Sequence, residues 1–135
     1  MSTPRQVLAA QLEADNPDWK VFPFQYKPGN VVLGRPVVTV FRAEVVPNGK
    51  PQWLDHKLTV FAFGARTEGE KAEDEMDNIL DAVCLSIERL SGYTLDSAKR
   101  AVFYNDTMSG WHIEVSMTSP NVYRTTILEE GNAHG

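Results

Sequence analysis

The segment from Thr67 to Val83, TEGEKAEDEMDNILDAV, places seven carboxylates between Glu68 and Asp81, with Lys71 as the one cation among them. Carboxylates at this density can hold a hard divalent cation, match a basic partner or repel phosphate. Helical geometry of about 100° per residue brings Glu70, Glu73, Asp74, Asp77, Asp81 and Glu88 into an arc of about 100°. They therefore form a stripe, beside a separate apolar face. Glu70–Asp74, Glu73–Asp77 and Asp77–Asp81 are like-charge pairs four residues apart, each costing about 0.2–0.5 kcal/mol. A helix N-terminus favours carboxylates in its first turn, but Asp77 and Asp81 lie too deep to benefit. Three uses compete: a solvated face, an electrostatic surface for a basic neighbour or against DNA phosphates, and a metal site. A straight helix aims its side chains outward and makes a poor cage for Mg²⁺ or Ca²⁺. The reading adopted is an acidic electrostatic surface of Glu70, Glu73, Asp74, Asp77 and Asp81, with no metal.

Other chemistry is thin. The chain has neither a Gly-x-Ser-x-Gly elbow nor a phosphate-binding loop nor a dinucleotide fingerprint. Cys84 falls beside the apolar face of the acidic helix, where an inert core thiol is expected. His56 begins a strand, His112 lies on a polar strand face and His134 is near the C-terminal end; a surface histidine is the default for each. No catalytic residue, cofactor or metal ligand is assigned, and an enzyme is not expected.

The elements that position these residues follow from local pattern. Thr3-Pro4-Arg5-Gln6 predicts a capped helix start, Val7, Leu8 and Leu12 its apolar stripe, and Asn16-Pro17 its end. Trp19–Phe24 predicts a strand that Pro23 assigns to an edge. Val37–Val46 and His56–Ala65 predict two strands with apolar residues on both faces, covered on one side by a helix or sheet and on the other by a neighbouring subunit. Gln25–Arg35 and Pro47–Asp55 read as loops, the second around an Asn-Gly turn. Their anchors would be Tyr26, Val31, Val32, Leu33, Trp53 and Leu54, a candidate interface set.

Thr67-Glu68-Gly69-Glu70 reads as a capping box opening a helix to about Leu90, with Gly92 at its C-terminal stop. Ala72, Met76, Ile79, Leu80, Val83, Ile87 and Leu90 form its buried face. Ala98–Tyr104 and Trp111–Thr118 predict a late hairpin around Asn105–Gly110, and the second strand alternates cleanly between apolar and polar residues. Val122–Leu128 reads as a further strand or a docked arm. The expectation is one α+β domain over 1–128, a mostly antiparallel sheet with a short N-terminal helix and one long helix packed across it, followed by a frayed tail over 129–135.

The whole chain agrees. Its 135 residues allow one real core, and 42% hydrophobic residues is too apolar for disorder. A net charge of −5 argues against a dedicated nucleic-acid-binding domain. One cysteine allows no internal disulfide, and no apolar run approaches the ~20 residues of a membrane span. The opening MSTPRQVLAAQLEAD lacks signal-peptide character, so a protein made in a reducing cytoplasm is expected.

The chain resembles the tail terminator, or tail completion, proteins of long non-contractile-tailed bacteriophages, especially phages of actinobacteria. The likeness covers residues 5–119 and rests on "PDWKVFPF", "GRPVVTVFRAEV", "HKLTVFAFGARTEGEKAEDEMDNILDAV" and "GWHIEVSM". It implies a virion protein at the head-proximal end of the tail. It implies a homohexameric ring that caps the tail tube, stops polymerisation of the tube protein and offers a joining surface to the head connector. DNA would pass through without sequence-specific binding, and a negative protein suits that passage. The competing readings are another phage neck or tube component, and a small α+β enzyme or ligand-binding protein with a pocket between sheet and helix.

Overall fold

A computed structural model describes residues 3–26, 35–48, 50–64, 69–103 and 108–120. The elements are α1 (Pro4–Asp15), β1 (Lys20–Phe22), β2 (Val37–Asn48), β3 (Lys50–Phe63), α2 (Glu70–Glu88), β4 (Tyr93–Phe103) and β5 (Met108–Pro120). The strands form one five-stranded sheet in the order β1-β2-β3-β5-β4. β1 runs parallel to β2, and every other pairing is antiparallel. The fold is α+β, as its pattern predicts.

α1 starts where its capping residues dictate. The Thr3 hydroxyl accepts from the Gln6 N–H at 3.3 Å, the Gln6 side-chain oxygen accepts from the Thr3 N–H at 2.9 Å, and Pro4 fills the first turn. It stops at Asn16, whose backbone N–H and side-chain amide both donate to the Leu12 carbonyl at 3.0 Å. Leu8, Ala9 and Leu12 are buried.

Both helices lie on one face of the sheet. In strand register that face carries Val38 and Val40 of β2, Leu58, Val60 and Ala62 of β3, and Ile113 and Val115 of β5. These pack with Leu8 and Leu12 of α1 and with Met76, Ile79, Val83 and Ile87 of α2 in one core. α1 sits over β1 and β2, whereas α2 makes its sheet contacts with β4, β3 and β5. At the helix junction the Asp15 carboxylate accepts from Gln11 Nε2 at 2.9 Å and from the buried Ser86 hydroxyl at 2.7 Å, and it pairs with Arg89 at 2.8 Å. Those hydrogen bonds, with Arg89 beside them, hold the Asp15 carboxyl below the usual range.

Several local expectations need correction. α2 begins at Glu70 with Gly69 as N-cap at φ 98°, without a side-chain cap; Thr67 and Glu68 of the expected capping box lie outside the described residues. A left-handed glycine at this position turns the chain into the helix at no steric cost. The helix ends at Glu88, short of Leu90, with Gly92 at φ 86° completing the turn into β4. Pro47–Asp55 is not a loop: β2 continues to Asn48 and β3 resumes at Lys50, so the Asn-Gly signal marks the tip of a long hairpin. β1 pairs with Val37–Thr39, so among the described residues the far half of β2 is an edge, where a proline is tolerated. β4 starts at Tyr93 rather than Ala98, and Met108–Gly110 belongs to β5 rather than to a turn. β1 is shorter than Trp19–Phe24 but does lie at the sheet edge.

Candidate functional site

The sheet face turned away from the helices has a different chemistry. Thr39, Phe61 and His112 lie side by side across β2, β3 and β5, with Phe22 next to Thr39 on β1. Phe41 meets Phe61 edge-to-face at 5.4 Å, and Phe61 meets the His112 ring edge-to-face at 5.0 Å. Tyr26 stacks on Phe22 at 4.1 Å, and Phe24 closes the group at 5.5 Å from Phe22. His112 Nε2 contacts a Glu114 carboxylate oxygen at 2.5 Å, and the Thr59 hydroxyl donates to the other oxygen at 3.5 Å. An aromatic strip thus crosses the outer face beside one His–Glu pair. Thr39 is fully buried within it, and its hydroxyl oxygen has no partner among the described residues.

The hairpin of β2 and β3 carries the second group. Trp53 is 42% exposed and Val45 is also exposed, while Leu54 is only 7% exposed. Trp53 and Leu54 point to opposite faces of one strand, as neighbours on a strand must. Leu54 is therefore a packing residue in the isolated chain, which corrects its assignment as an exposed anchor; Tyr26 and Trp53 are at the surface. Val31, Val32 and Leu33 lie outside the described residues, as do residues 121–135 with the expected arm and tail.

At the base of the hairpin His56 is 95% covered, with Nε2 at 2.8 Å from the Ser119 hydroxyl and Nδ1 unpartnered among the described residues. Burial first, then the nearby Arg42 guanidinium, depress its pKa, against a smaller opposing pull from Asp55. The sequence placed His56 at a strand start but gave no sign of this burial.

The acidic helix resolves into two parts. Glu73 is clamped by Arg100 of β4 through two hydrogen bonds, at 2.8 and 2.9 Å. Arg100 also sits 5.5 Å above the Trp111 ring, and Trp111 Nε1 donates to the Met76 carbonyl at 2.8 Å. These hydrogen bonds lower the Glu73 pKa and raise that of Arg100, with Coulombic attraction adding to each. Glu70, Asp74, Asp77 and Asp81 are exposed. Among the described residues no group of three or more potential ligands is arranged to hold a metal. Cys84 is half-buried, and burial with Asp81 and Glu88 nearby pushes its thiol pKa up, away from nucleophilic character.

Two open clefts flank α1. One, of about 490 Å³, lies between α2 and the chain around Trp19 and Pro36, with Lys71, Asp74 and Asn78 on its wall. The other, of about 420 Å³, wraps the β1–β2 edge and is lined by Thr3, Pro4, Arg5, Phe24, Gln25, Phe41 and Arg42. Neither gathers an acid–base pair with a nucleophile. No helix among the described residues is long and apolar enough to cross a membrane.

Fold and surfaces define an α+β protein whose helices cover one sheet face and whose other face and hairpin carry aromatic groups. No family model and no curated protein matches the chain.

Proposed function

We propose that this protein is a bacteriophage tail terminator, a ring-forming subunit that caps the tail tube and presents a joining surface to the head connector. The observation that carries the reading is the placement of aromatic surface outside the core. Phe24, Tyr26 and Trp53 are exposed, and Phe41 and Phe61 are half-covered, outside the core that the helices build with the other sheet face. Aromatic side chains in such positions are the usual anchors of protein–protein contacts. The segments in which the sequence resembles tail terminators include these residues apart from Tyr26 and Trp53. The net charge of −5 supports the same role, since a negative protein beside a DNA path deters phosphate binding. The partners of this reading are further copies of the chain, the tube protein and the connector; it involves no cofactor and no catalysis.

The test is reconstruction of tails assembled with and without the protein. A ring of this chain at the head-proximal end, and overlong tubes in its absence, are the expected results. Tails of normal length without the protein, or reconstructions with no such ring, reject the proposal. Trp53→Ala serves as the point test: tail assembly should fall while the melting temperature stays nearly constant.

A further inference from the structure

α2 carries seven carboxylates against one lysine, a net −6 in a chain of net −5, so the residues outside this helix sum to +1. The charge of the molecule is therefore polarised. Asp74 lies on the wall of the cleft around Trp19 and Pro36, whereas one flank of the stripe lies toward β4: Glu73 reaches down to Arg100, and Asp77 is close enough to act on the same guanidinium. Glu70, Asp77 and Asp81 remain exposed above it, with no ion pair among the described residues.

The opposite edge has the complementary chemistry. The cleft on the β1–β2 edge is lined by Arg5 of α1 and Arg42 of β2 together with Phe24 and Phe41, and no carboxylate among the described residues lines it. Neither arginine is in an ion pair among the described residues. The α1 N-terminus beside it is already capped by Thr3 and Gln6, so the guanidiniums are the free donors. Arginine is suited to this task because its planar fork takes a carboxylate through two bonds and stacks against aromatic rings. Arg42 on β2 and Arg100 on β4, beneath the stripe, are three strand spacings apart, about 15 Å across the sheet.

We infer that the acidic shoulder of one copy docks against the Arg5–Arg42 cleft of the next. Because the two surfaces are different and lie at opposite edges, the contact is head-to-tail, and repeated application yields a closed ring or a filament rather than a two-fold dimer. Docking also places guanidiniums beside Asp77 and Asp81, whose mutual repulsion Arg100 offsets only from the Asp77 side. The inference rests on the ring reading above and names the surfaces that build the ring.

Charge reversal tests it. Arg5→Glu with Arg42→Glu makes both surfaces acidic; Asp77→Lys with Asp81→Lys makes both basic. Each variant alone should weaken self-association by at least about tenfold, on the scale of one misplaced charge contact. An equimolar mixture of the two should assemble again, and so should a chain carrying all four substitutions. Association of the wild type should weaken as salt rises past about 0.15 M, where screening sets in within about 8 Å. Sedimentation velocity reads the assembly and circular dichroism checks the fold. Should a reversal unfold the chain, Arg5→Gln with Arg42→Gln and Asp77→Asn with Asp81→Asn give the same comparison at smaller amplitude. If the wild type assembles and both variants assemble equally well, this interface is wrong while the ring reading stands. If the wild type assembles neither alone nor on purified tube protein, both fail. If inorganic phosphate raises the melting temperature through Arg5 and Arg42 and their substitution leaves assembly intact, the cleft is a small-anion site and the inference is overturned.

Discussion

The two faces of the sheet use the same strands for opposite ends. Toward the helices every central position is aliphatic: Val38, Val40, Leu58, Val60, Ala62, Ile113 and Val115 are each fully covered. On the other face the neighbouring positions are Thr39, Phe41, Thr59, Phe61, His112 and Glu114, a mixture of rings and polar groups, several only half-covered. Aliphatic side chains fill volume and ask for no partner, so that face is spent on stability. Rings with exposed edges, a His–Glu pair and buried hydroxyls offer directional contacts, so the second face retains the capacity to recognise something. Strand alternation makes the division possible, because successive residues of β2 and β3 serve different surfaces.

The largest expected effect comes from the helix side. Leu58→Ala removes a fully buried side chain at the centre of the core and should cost about 2–5 kcal/mol, a fall of roughly 10 °C or more in melting temperature. Phe61→Ala on the other face should cost clearly less, because the ring is half-covered; equal losses would erase the distinction between the faces.

Gly110→Ala comes next and probes how tightly the outer face is built at its end. A Cβ there would stand 2.7 Å from the Ala62 carbonyl oxygen and 2.8 Å from the Phe63 ring. Backbone cannot yield as a flexible side chain does, so about 1–3 kcal/mol of destabilisation is expected in a denaturant melt. A neutral result would show that the β3–β5 pairing opens easily here.

His56 sharpens the comparison through pH. It lies on the helix-side register of β3 but beyond the helices, buried against Ser119 and facing Arg42 and Asp55. Its folded-state pKa is lowered, so the unfolded chain takes up the proton first. The stabilising contribution is present above the ordinary imidazole value of about 6.5 and is lost as pH falls from there through the lowered folded value. Chemical melts of the wild type should therefore weaken across this window, and His56→Gln should flatten the profile. Identical slopes in the two proteins would reject the assignment.

The smallest effect belongs to the acidic shoulder. Asp77→Asn with Asp81→Asn removes one repelling pair and should leave stability unchanged or raise it by a few tenths of a kcal/mol. If millimolar Mg²⁺ or Ca²⁺ instead raises the melting temperature of the wild type by several degrees, and the double variant loses that response, the stripe is a metal site.

Short-range pattern determined a good part of this protein. Thr3, Pro4 and Gln6 set the start of α1, the 3,4 spacing from Ala72 to Ile87 set the buried face of α2, and alternation from Trp111 to Thr118 set the faces of β5. These signals reside in contiguous residues, so they can be read without knowing what lies across the fold. The aromatic and charged residues were likewise visible as types.

Their company was not. Tertiary structure decided that Arg100 answers Glu73, that Asp15 joins Ser86 and Arg89 across the helix junction, that the Tyr93 hydroxyl donates to the Pro4 carbonyl at 2.9 Å, and that β5 inserts between β3 and β4. It extended the hairpin through Pro47–Asp55, where turn-forming residues alone read as a loop, and it buried Leu54 and His56. Apart from the hairpin itself, these outcomes depend on residues far apart in the chain being brought into register. The free energy that selects that register is shared across the whole sheet and core, and no local window of sequence contains it.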